Sequence, residues 1–158
     1  MSAPIATRVA GPGDAGELAT LLHDFNTEFD TPSPGPAVLE PRLRSLLASD
    51  STVALLAGAP AEGCALVTLR PNVWFDGPVA LLDELYVVPD RRGKGIGTAL
   101  VELLFEVAAD RSVELIEINV DESDVDAQRF YERHGFSGIE PDTGERAFYF
   151  SLEPGRAQ

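Results

Sequence analysis

The feature that most constrains this chain is the segment Arg91-Arg92-Gly93-Lys94-Gly95-Ile96-Gly97. It follows, after Asp90, the stretch from Leu81 to Pro89, which is apolar apart from Asp83 and Glu84. This pattern predicts a strand, then a glycine-rich loop, then a helix. Glycines at alternate positions let the backbone approach a ligand closely, because no Cβ stands in the way. The first turn of a helix also offers N–H groups without helical partners and the positive end of the helix dipole. The loop is therefore predicted to bind phosphate oxygens.

Positive charge is concentrated in this loop, although the chain is strongly acidic. The formal net charge is −14, and three of the 12 Lys and Arg residues, including the single lysine Lys94, lie within these seven positions. The spacing does not match the dinucleotide pattern G-x-G-x-x-G, because Thr98 occupies the sixth position counted from Gly93. It does not match the P-loop either, because no Ser or Thr follows Lys94. The charge distribution indicates a specific anionic ligand.

The predicted elements follow the order βααβββαβαβ, with a further short strand near 136–139 left open. Such an order predicts an α/β (α+β) fold in which a mixed sheet carries helices on both faces. At 158 residues the chain is too short for two ordinary domains, so we expect one domain over 1–158, with a frayed tail at 153–158. The predicted strands are 5–10, 53–57, 62–70, 79–88, 113–120 and 146–152, and the predicted helices are 15–29, 38–48, 95–109 and 124–134.

Composition excludes several classes of protein. No apolar run is long enough to span a bilayer, and the N-terminus has no secretory pattern, so we expect a cytoplasmic protein with no membrane partner. The single cysteine, Cys64, excludes an internal disulfide and a cysteine-rich zinc site, and we expect no metal. The acidic balance disfavours nucleic acid as a partner, because phosphate backbones require broad basic surfaces.

A second motif lies about one βα unit after the loop: Phe130-Tyr131-Glu132-Arg133-His134-Gly135-Phe136. Together with Leu85-Tyr86-Val87 and the pattern R-x-x-G-x-G at 92–97, it resembles the GNAT superfamily of acyl-CoA-dependent N-acyltransferases. The resemblance is strong over about 79–137 and only topological over 1–78. It implies the GNAT fold, in which the central sheet splays open, and it implies acetyl-CoA as co-substrate.

The resemblance also implies how acetyl-CoA is held. The loop backbone would bind the pyrophosphate, and the preceding strand would pair with the amides of the pantetheine arm as though with an added strand. The alternative for the loop is an ordinary tight turn. The residues predicted to bind the cofactor are Leu85, Tyr86, Val87, Arg92, Gly93, Lys94, Gly95, Ile96, Gly97 and Thr98.

Two residues are predicted to carry the chemistry. The resemblance implies that Tyr131 is the general acid that protonates the leaving thiolate, and its alternative is a packing tyrosine on an amphipathic helix. Glu84 is the hypothesised general base, acting directly or through a water, because an amine must lose a proton to become nucleophilic. Its alternative is a charged residue at the opening of the sheet. By strand alternation, Asp83 should point to the opposite face.

The sequence gives fewer indications of which residues bind the amine acceptor. We expect a pocket built from the first two helices and the loop 71–78, with Phe25, Asn26, Phe29 and Trp74 as the substrate-binding residues. Packing is the alternative for each aromatic ring. Asp124 departs from the family pattern, which often has an asparagine there that donates to the pantetheine. An ionised aspartate cannot donate a hydrogen bond, although Asp124 or Ser123 can cap the helix that follows.

These observations predict an N-acetyltransferase that transfers the acetyl group of acetyl-CoA directly to a primary amine of a small molecule or peptide, in a ternary complex. Neither a metal nor a covalent enzyme intermediate is implied. The alternative is a non-catalytic module that binds or senses acyl-CoA. Aminoglycosides, polyamines, amino acids and protein amines all stay open as acceptors. Homodimers are common in the family, so a homodimer is one option for this chain.

Overall fold

The computed structural model describes residues 3–156, and its chain divides between Ile118 and Asn119 into two compact units, which are described separately. The first unit holds a five-stranded sheet and three α-helices, and the second holds one α-helix. Two short 3-10 helices, Pro12–Asp14 and Pro89–Arg91, precede α1 and α3. The strands are β1 (Thr7–Val9), β2 (Thr52–Ala57), β3 (Gly63–Arg70), β4 (Val79–Val87) and β5 (Leu115–Ile118), and the helices are α1 (Ala15–Glu28), α2 (Pro36–Leu47), α3 (Ile96–Asp110) and α4 (Val125–Arg133).

The sheet is mixed and carries helices on both faces, as predicted. Its order is β1-β2-β3-β4-β5; the first three pairings are antiparallel, and β4 and β5 are parallel. Leu56, Cys64 and Tyr86 are cross-strand neighbours that form one core with α1 and α2. On the opposite face, α3 lies so close that a Cβ at Gly63 would come within 2.8 Å of Ile96 Cγ2. This contact holds the first turn of α3 against the sheet.

The sheet opens along the second half of β4. The ladder between β4 and β5 ends at the pair Leu82↔Ile118, whereas β4 continues to Val87. Beyond Leu82, the described strands pair with β4 only on the β3 side, up to Gly63↔Val87. The resulting free edge agrees with the splayed sheet of the GNAT fold and leads directly to the glycine loop.

A β-bulge at Asp83 corrects the predicted alternation of side chains. On β3, Leu66 pairs with Glu84 and Val67 pairs with Leu82, so Asp83 is an extra residue in β4. Thr68 Oγ1 donates to Asp83 Oδ2 at 2.6 Å, and Thr68 lies on the same face of β3 as Leu66. Asp83 and Glu84 therefore point to the same face, because the bulge inserts one residue and resets the alternation.

The second unit contains α4 and an irregular C-terminal segment. Asp124 caps α4 by accepting a hydrogen bond from the Ala127 N–H at 3.0 Å, and Gly135 follows the helix with φ +90°. The predicted final strand at 146–152 is wrong: the structure has a single bridge, Ile139↔Arg146, which also replaces the short strand left open near 136–139. A turn between Glu140 and Glu145 brings Ile139 next to Arg146, and the described residues extend this bridge into no longer ladder.

The structure differs from the prediction in two smaller respects, the start of α2 and the C-terminal tail. α2 begins at Pro36, two residues before the predicted start at residue 38, since the first helical position needs no N–H donor. At the tail, the Arg156 N–H donates to the Glu153 carbonyl in a turn, and 157–158 lie outside the described residues. Between residues 3 and 156, no helix has both the length and the apolar character needed to cross a bilayer.

Candidate active site

The glycine loop joins the end of β4 to the start of α3. The 3-10 turn Pro89–Arg91 leads into it, and Gly93 (φ +70°) and Gly95 (φ +85°) adopt the left-handed conformation. Residues with a Cβ adopt this conformation only at an energetic cost, which explains the glycines at these two positions. Gly95 is the N-cap of α3, so the loop delivers the chain straight into the first turn of the helix.

The loop presents a run of unpaired N–H groups. Among residues 3–156, no acceptor receives a hydrogen bond from the N–H groups of Gly93, Lys94, Gly95, Ile96, Gly97 and Thr98. The Arg92 N–H donates to the Pro89 carbonyl at 3.3 Å, and the Ala99 N–H donates to the Gly95 carbonyl at 3.0 Å. The run of unpaired N–H groups therefore begins at Gly93, one residue after Arg92. Six N–H groups at the positive end of a helix form a site suited to phosphate oxygens.

Two of the three loop cations are already neutralised within the first unit. Arg91 forms an ion pair with Glu62 at 2.7 Å, and Arg92 forms one with Glu28 at 2.7 Å. Lys94 Nζ donates to the Asp90 carbonyl at 3.1 Å and forms no ion pair with a described carboxylate. Anion binding in the loop thus depends on the N–H groups and on Lys94 more than the sequence suggested.

The Arg92 side chain connects the loop to α1 through its ion pair with Glu28 and to β4 through a hydrogen bond. Its Nε donates to the Val87 carbonyl at 2.9 Å, and its guanidinium lies over the Tyr86 ring, 5.7 Å from the centroid. Tyr86 is buried, stacks on Phe25 at 5.1 Å and donates to Glu28 Oε1 at 3.5 Å. Hydrogen bonding by Arg92 lowers the pKa of Glu28, and burial followed by the Glu28 charge raises the pKa of Tyr86. Glu28 was not singled out from the sequence.

The free edge of β4 suits a ligand that carries amides. The Val88 N–H donates to the Glu62 carbonyl at 2.9 Å, so residue 88 directs its backbone toward β3. Because successive residues in a strand direct their backbone groups to alternate edges, Leu85 and Val87 direct theirs to the edge that β5 leaves open. The Val87 carbonyl is occupied by Arg92, which leaves the Leu85 groups and the Val87 N–H for an added strand.

Glu84 is a half-buried carboxylate with no bonded partner among residues 3–156. Within the described part of the chain it forms no hydrogen bond and no ion pair, and it lines a cavity of about 230 Å³. Burial, and to a lesser extent the charge of Asp83, raises the pKa of Glu84 above the usual value of 4.5. A carboxylate with a raised pKa and a free oxygen can accept a proton from an ammonium group more readily than an ordinary glutamate can.

The cavity lies between the α1–α2 pair and the sheet. Its floor carries Glu84, and one wall carries Asn26, whose Nδ2 donates to the Pro32 carbonyl at 2.9 Å. The rest of the lining is apolar apart from Arg42 of α2. The lining residues are Leu22, Asn26, Leu39, Arg42, Leu43, Leu46, Leu66 and Glu84.

Sequence reasoning missed Arg42, although a signal for it exists. Leu39, Leu43 and Leu46 lie at helical spacing on one stripe of α2, and Arg42 interrupts that stripe three residues after Leu39. A charged residue inside an apolar stripe faces the same side as its apolar neighbours, and in this chain that side faces the cavity.

Of the four predicted substrate-binding residues, only Asn26 lines this cavity. Phe25 packs against Tyr86, and Phe29, 56% exposed, meets Phe25 edge-on at 5.4 Å, so both rings lie at the C-terminal end of α1. Trp74 is 84% exposed in the loop before β4 and contributes to no wall of the cavity.

A larger cavity of about 470 Å³ lies beside the glycine loop, lined by 3–6 and by Gly58, Glu62, Arg91, Lys94 and Ile96. Its carboxylate, Glu62, is tied to Arg91, so this cavity lacks a free group that could take a proton from an amine. The smaller cavity, with Glu84, is the better place for an acceptor.

Cys64 is a buried residue of the core under α1. Burial, with a smaller contribution from the Glu84 charge, raises the pKa of Cys64 to about 12. Its thiol therefore stays protonated near neutral pH and acts as a small apolar side chain.

Tyr131 belongs to the second unit, on α4. Its ring meets Phe130 edge-on at 5.1 Å and Phe136 at 5.6 Å, so the F-Y-x-x-x-G-F motif forms a local aromatic cluster around it. The side chain is half-buried. The packing interpretation thus has a physical basis, and the general-acid role stays a prediction.

Comparison with known proteins gives consistent results. The sequence model of the acetyltransferase (GNAT) family matches residues 18–136. A solved structure from Arthrobacter sp. FB24, named only as an acetyltransferase, is 48% identical, covers 97% of this chain and 98% of its own, and superposes with a TM-score of 0.90. The thialysine N-epsilon-acetyltransferase of Bos taurus is 26% identical over 94% of both chains. An uncharacterized N-acetyltransferase of Methanocaldococcus jannaschii is 43% identical over 37% of this chain, which spans 26% of that protein's length.

Proposed function

This chain belongs to the GNAT family of acetyltransferases, and we propose that it transfers the acetyl group of acetyl-CoA directly to a primary amine of a small molecule or peptide. The relatives named above are N-acetyltransferases or acetyltransferases. The use of acetyl-CoA, the direct transfer and the class of acceptor are the content of the proposal. The predicted cytoplasmic location and homodimer stay predictions.

The observation that carries the proposal is the loop at the start of α3. Its six N–H groups from Gly93 to Thr98 lack acceptors among residues 3–156, and they lie directly after a strand whose outer edge is free beyond Leu82. A phosphate-binding loop joined to an open strand fits a ligand that carries a pyrophosphate followed by an amide-containing arm, which is the chemistry of CoA.

In this proposal, different residues of the first unit have different roles. Gly93 to Thr98 bind the pyrophosphate, and the edge of β4 at Leu85 and Val87 aligns the arm. Acetyl-CoA supplies the acyl thioester, which the bound amine attacks directly in a ternary complex. Glu84 accepts the amine proton, directly or through a water, because its carboxylate lines the cavity and has a raised pKa. The backbone N–H of Leu85 or Val87 polarises the thioester carbonyl.

Tyr131 completes the mechanism as the group that returns a proton to the departing thiolate. The pKa values of a free thiol and a tyrosine are about 8.5 and about 10, so the transfer is slightly uphill and needs a hydrogen bond already in place. Support for this role comes from the motif around Tyr131 and from the family membership. The ring contacts with Phe130 and Phe136 would hold the hydroxyl in one orientation.

The test is release of the CoA thiol from acetyl-CoA across a panel of amines, amino acids and peptides, with acetyl-CoA binding measured by calorimetry on the same preparation. We expect acetyl-CoA to bind and at least one class of amine to release CoA. Binding without release from any amine would favour the acyl-CoA-binding or sensing module. Absence of binding by folded protein would refute the assignment of the loop.

A further inference from the structure

The cavity that holds Glu84 has an unusual balance of charges. Five of its eight lining residues are leucines, and its charged groups are one carboxylate and one guanidinium, Glu84 and Arg42. The chain as a whole has a net charge of −14, which would suit a polycation, yet this cavity is neutral when both groups are charged. Charge complementarity therefore favours an acceptor that carries one positive and one negative group.

Arg42 is available to a ligand. Most arginines of the first unit pair with a carboxylate: Arg8, Arg44, Arg70, Arg91 and Arg92 all do. Arg42 pairs with none of the described carboxylates, Glu84 included. Arg42 is exposed and lines the cavity beside leucines, and a guanidinium that pairs with none of the described carboxylates is well suited to a bidentate contact with the carboxylate of a ligand.

The Glu84 carboxylate suits an amine. The Glu84 carboxylate has no hydrogen-bond donor among the described residues, and Asn26 lines the same cavity and donates its amide N–H to the Pro32 carbonyl. The Asn26 amide oxygen is therefore left to accept, as is the Glu84 carboxylate. The cavity thus presents two acceptors, Glu84 and Asn26, and one guanidinium, Arg42, to a bound molecule.

The size and lining of the cavity limit what lies between the amine and the carboxylate of the bound molecule. A volume of about 230 Å³ is below the roughly 300–1,000 Å³ of pockets that enclose drug-sized ligands. Leu22, Leu39, Leu43, Leu46 and Leu66 present apolar surface to the middle of the ligand. Aminoglycosides are too large and too polar for such a lining, and polyamines would place a second ammonium group against Arg42.

We propose that the acceptor is a small amine with an apolar body and a carboxylate, and that Arg42 is the residue that selects the carboxylate. The inference rests on the proposed function, because it assigns the acceptor of the same site. The amine lies at Glu84 and Asn26, the carbon chain lies against the leucines, and the carboxylate pairs with the Arg42 guanidinium.

The test compares matched acceptors that differ only in the carboxylate. The pairs are 6-aminohexanoate with pentylamine, and L-leucine with 3-methylbutylamine. For at least one pair, we expect kcat/KM of CoA release to be about 10-fold or more higher for the carboxylate-bearing member, the size of a charge-assisted contact. Arg42→Gln should reduce that preference to about twofold or less. Arg44→Gln is the matched control, because Arg44 lies on the same helix and pairs with Glu40.

Calorimetry with the same pairs separates this inference from the proposed function. If no amine releases CoA but a carboxylate-bearing member binds wild-type protein and loses binding in Arg42→Gln, the acceptor inference stands and the catalytic proposal fails. Equal kcat/KM and equal affinity within both pairs would overturn the inference. A preference that persists in Arg42→Gln, or that Arg44→Gln abolishes equally, would overturn it as well.

Discussion

The carboxylate of Glu28 and the guanidinium of Arg92 lie 2.7 Å apart, although 64 residues separate them in the chain. Glu28 is the last residue of α1, the helix that also places Asn26 in the acceptor cavity, and Arg92 opens the glycine loop. Since Arg92 also donates to the Val87 carbonyl, this ion pair connects the end of α1, the end of β4 and the glycine loop.

Removal of the Glu28 charge should therefore loosen the loop. In Glu28→Gln, Arg92 loses its ionic partner and is free to leave the end of β4, so we expect KM for acetyl-CoA to rise several-fold with a smaller change in kcat. The stability cost should be about 1 kcal/mol or less, since the pair is largely solvated. Glu40→Gln breaks a comparable 2.7 Å pair with Arg44 far from the loop and should leave KM for acetyl-CoA unchanged. Equal KM effects in the two variants would argue against a role for Glu28 in the loop.

Glu84→Gln should lower kcat by on the order of 10²-fold, the usual contribution of a general base. Because burial and the Asp83 charge raise the pKa of Glu84, the acid limb of the wild-type rate profile should lie above pH 4.5 and disappear in the variant. Asp83→Asn is the matched variant: it removes the neighbouring charge and should move the limb to lower pH with activity retained. A limb that stays in place in Glu84→Gln would assign the base role to another group.

The same substitution should stabilise the fold. A carboxyl whose folded-state pKa is raised contributes stability below its unfolded pKa, and that contribution is lost as the pH rises through the folded pKa. A glutamine side chain in its place is neutral at every pH, so Glu84→Gln should be more stable than wild type near neutrality, and the difference should shrink toward acid pH. Urea unfolding from about pH 4 to about pH 8 measures it. A variant less stable than wild type at neutral pH would show that the carboxylate has a stabilising partner.

Gly95→Ala tests the loop. The φ of +85° disfavours any residue with a Cβ, whereas the nearest atom to that Cβ, Ile5 Cδ1, would be 3.7 Å away, so the cost is backbone strain without a clash. We expect a destabilisation of roughly 1–2 kcal/mol and a Kd for acetyl-CoA at least about 10-fold higher, measured by calorimetry. Gly144→Ala has a comparable φ of +73° and open space around the new Cβ, and it should destabilise the protein without weakening acetyl-CoA binding. Normal binding by Gly95→Ala would remove the loop from the proposed site.

Tyr131→Phe tests the general acid. The change keeps the ring that meets Phe130 and Phe136 and removes only the hydroxyl, so stability should change little. If Tyr131 protonates the leaving thiolate, kcat should fall about 10²-fold while KM for both substrates stays close to wild type. Tyr149→Phe removes a hydroxyl from a ring that is 73% exposed and should have no effect. An unchanged kcat in Tyr131→Phe would return Tyr131 to a packing role.

Much of the site lies in one local stretch and was predictable for that reason. The strand, the loop and the start of α3 run consecutively from Val79 to Thr98, and their structure follows from apolar patterning and from glycines at positive φ. The mixed sheet with helices on both faces followed from the order of the elements in the same way. Asp124 as a helix cap and Gly135 as a helix stop are likewise decided by residues within a few positions.

Other features depend on residues far apart in the chain. The direction of Asp83 was mispredicted because a bulge is defined by the register against β3. The segment 146–152 was predicted as a strand from its own residues. Among the described residues, its strand pairing is a single bridge, Ile139↔Arg146.

The sequence by itself determined the family, because the motifs that identify it consist of neighbouring residues. Phosphate binding by the glycine loop and the base role of Glu84 stay predictions. Only the tertiary structure decided that Arg92 pairs with Glu28, that Arg42 and Glu84 line the same cavity, and that the β5 ladder leaves β4 at Leu82. Local backbone preferences act over a few residues. Ion pairs, cavities and ladder ends arise where distant segments meet, and their partners are specified only once the chain has packed.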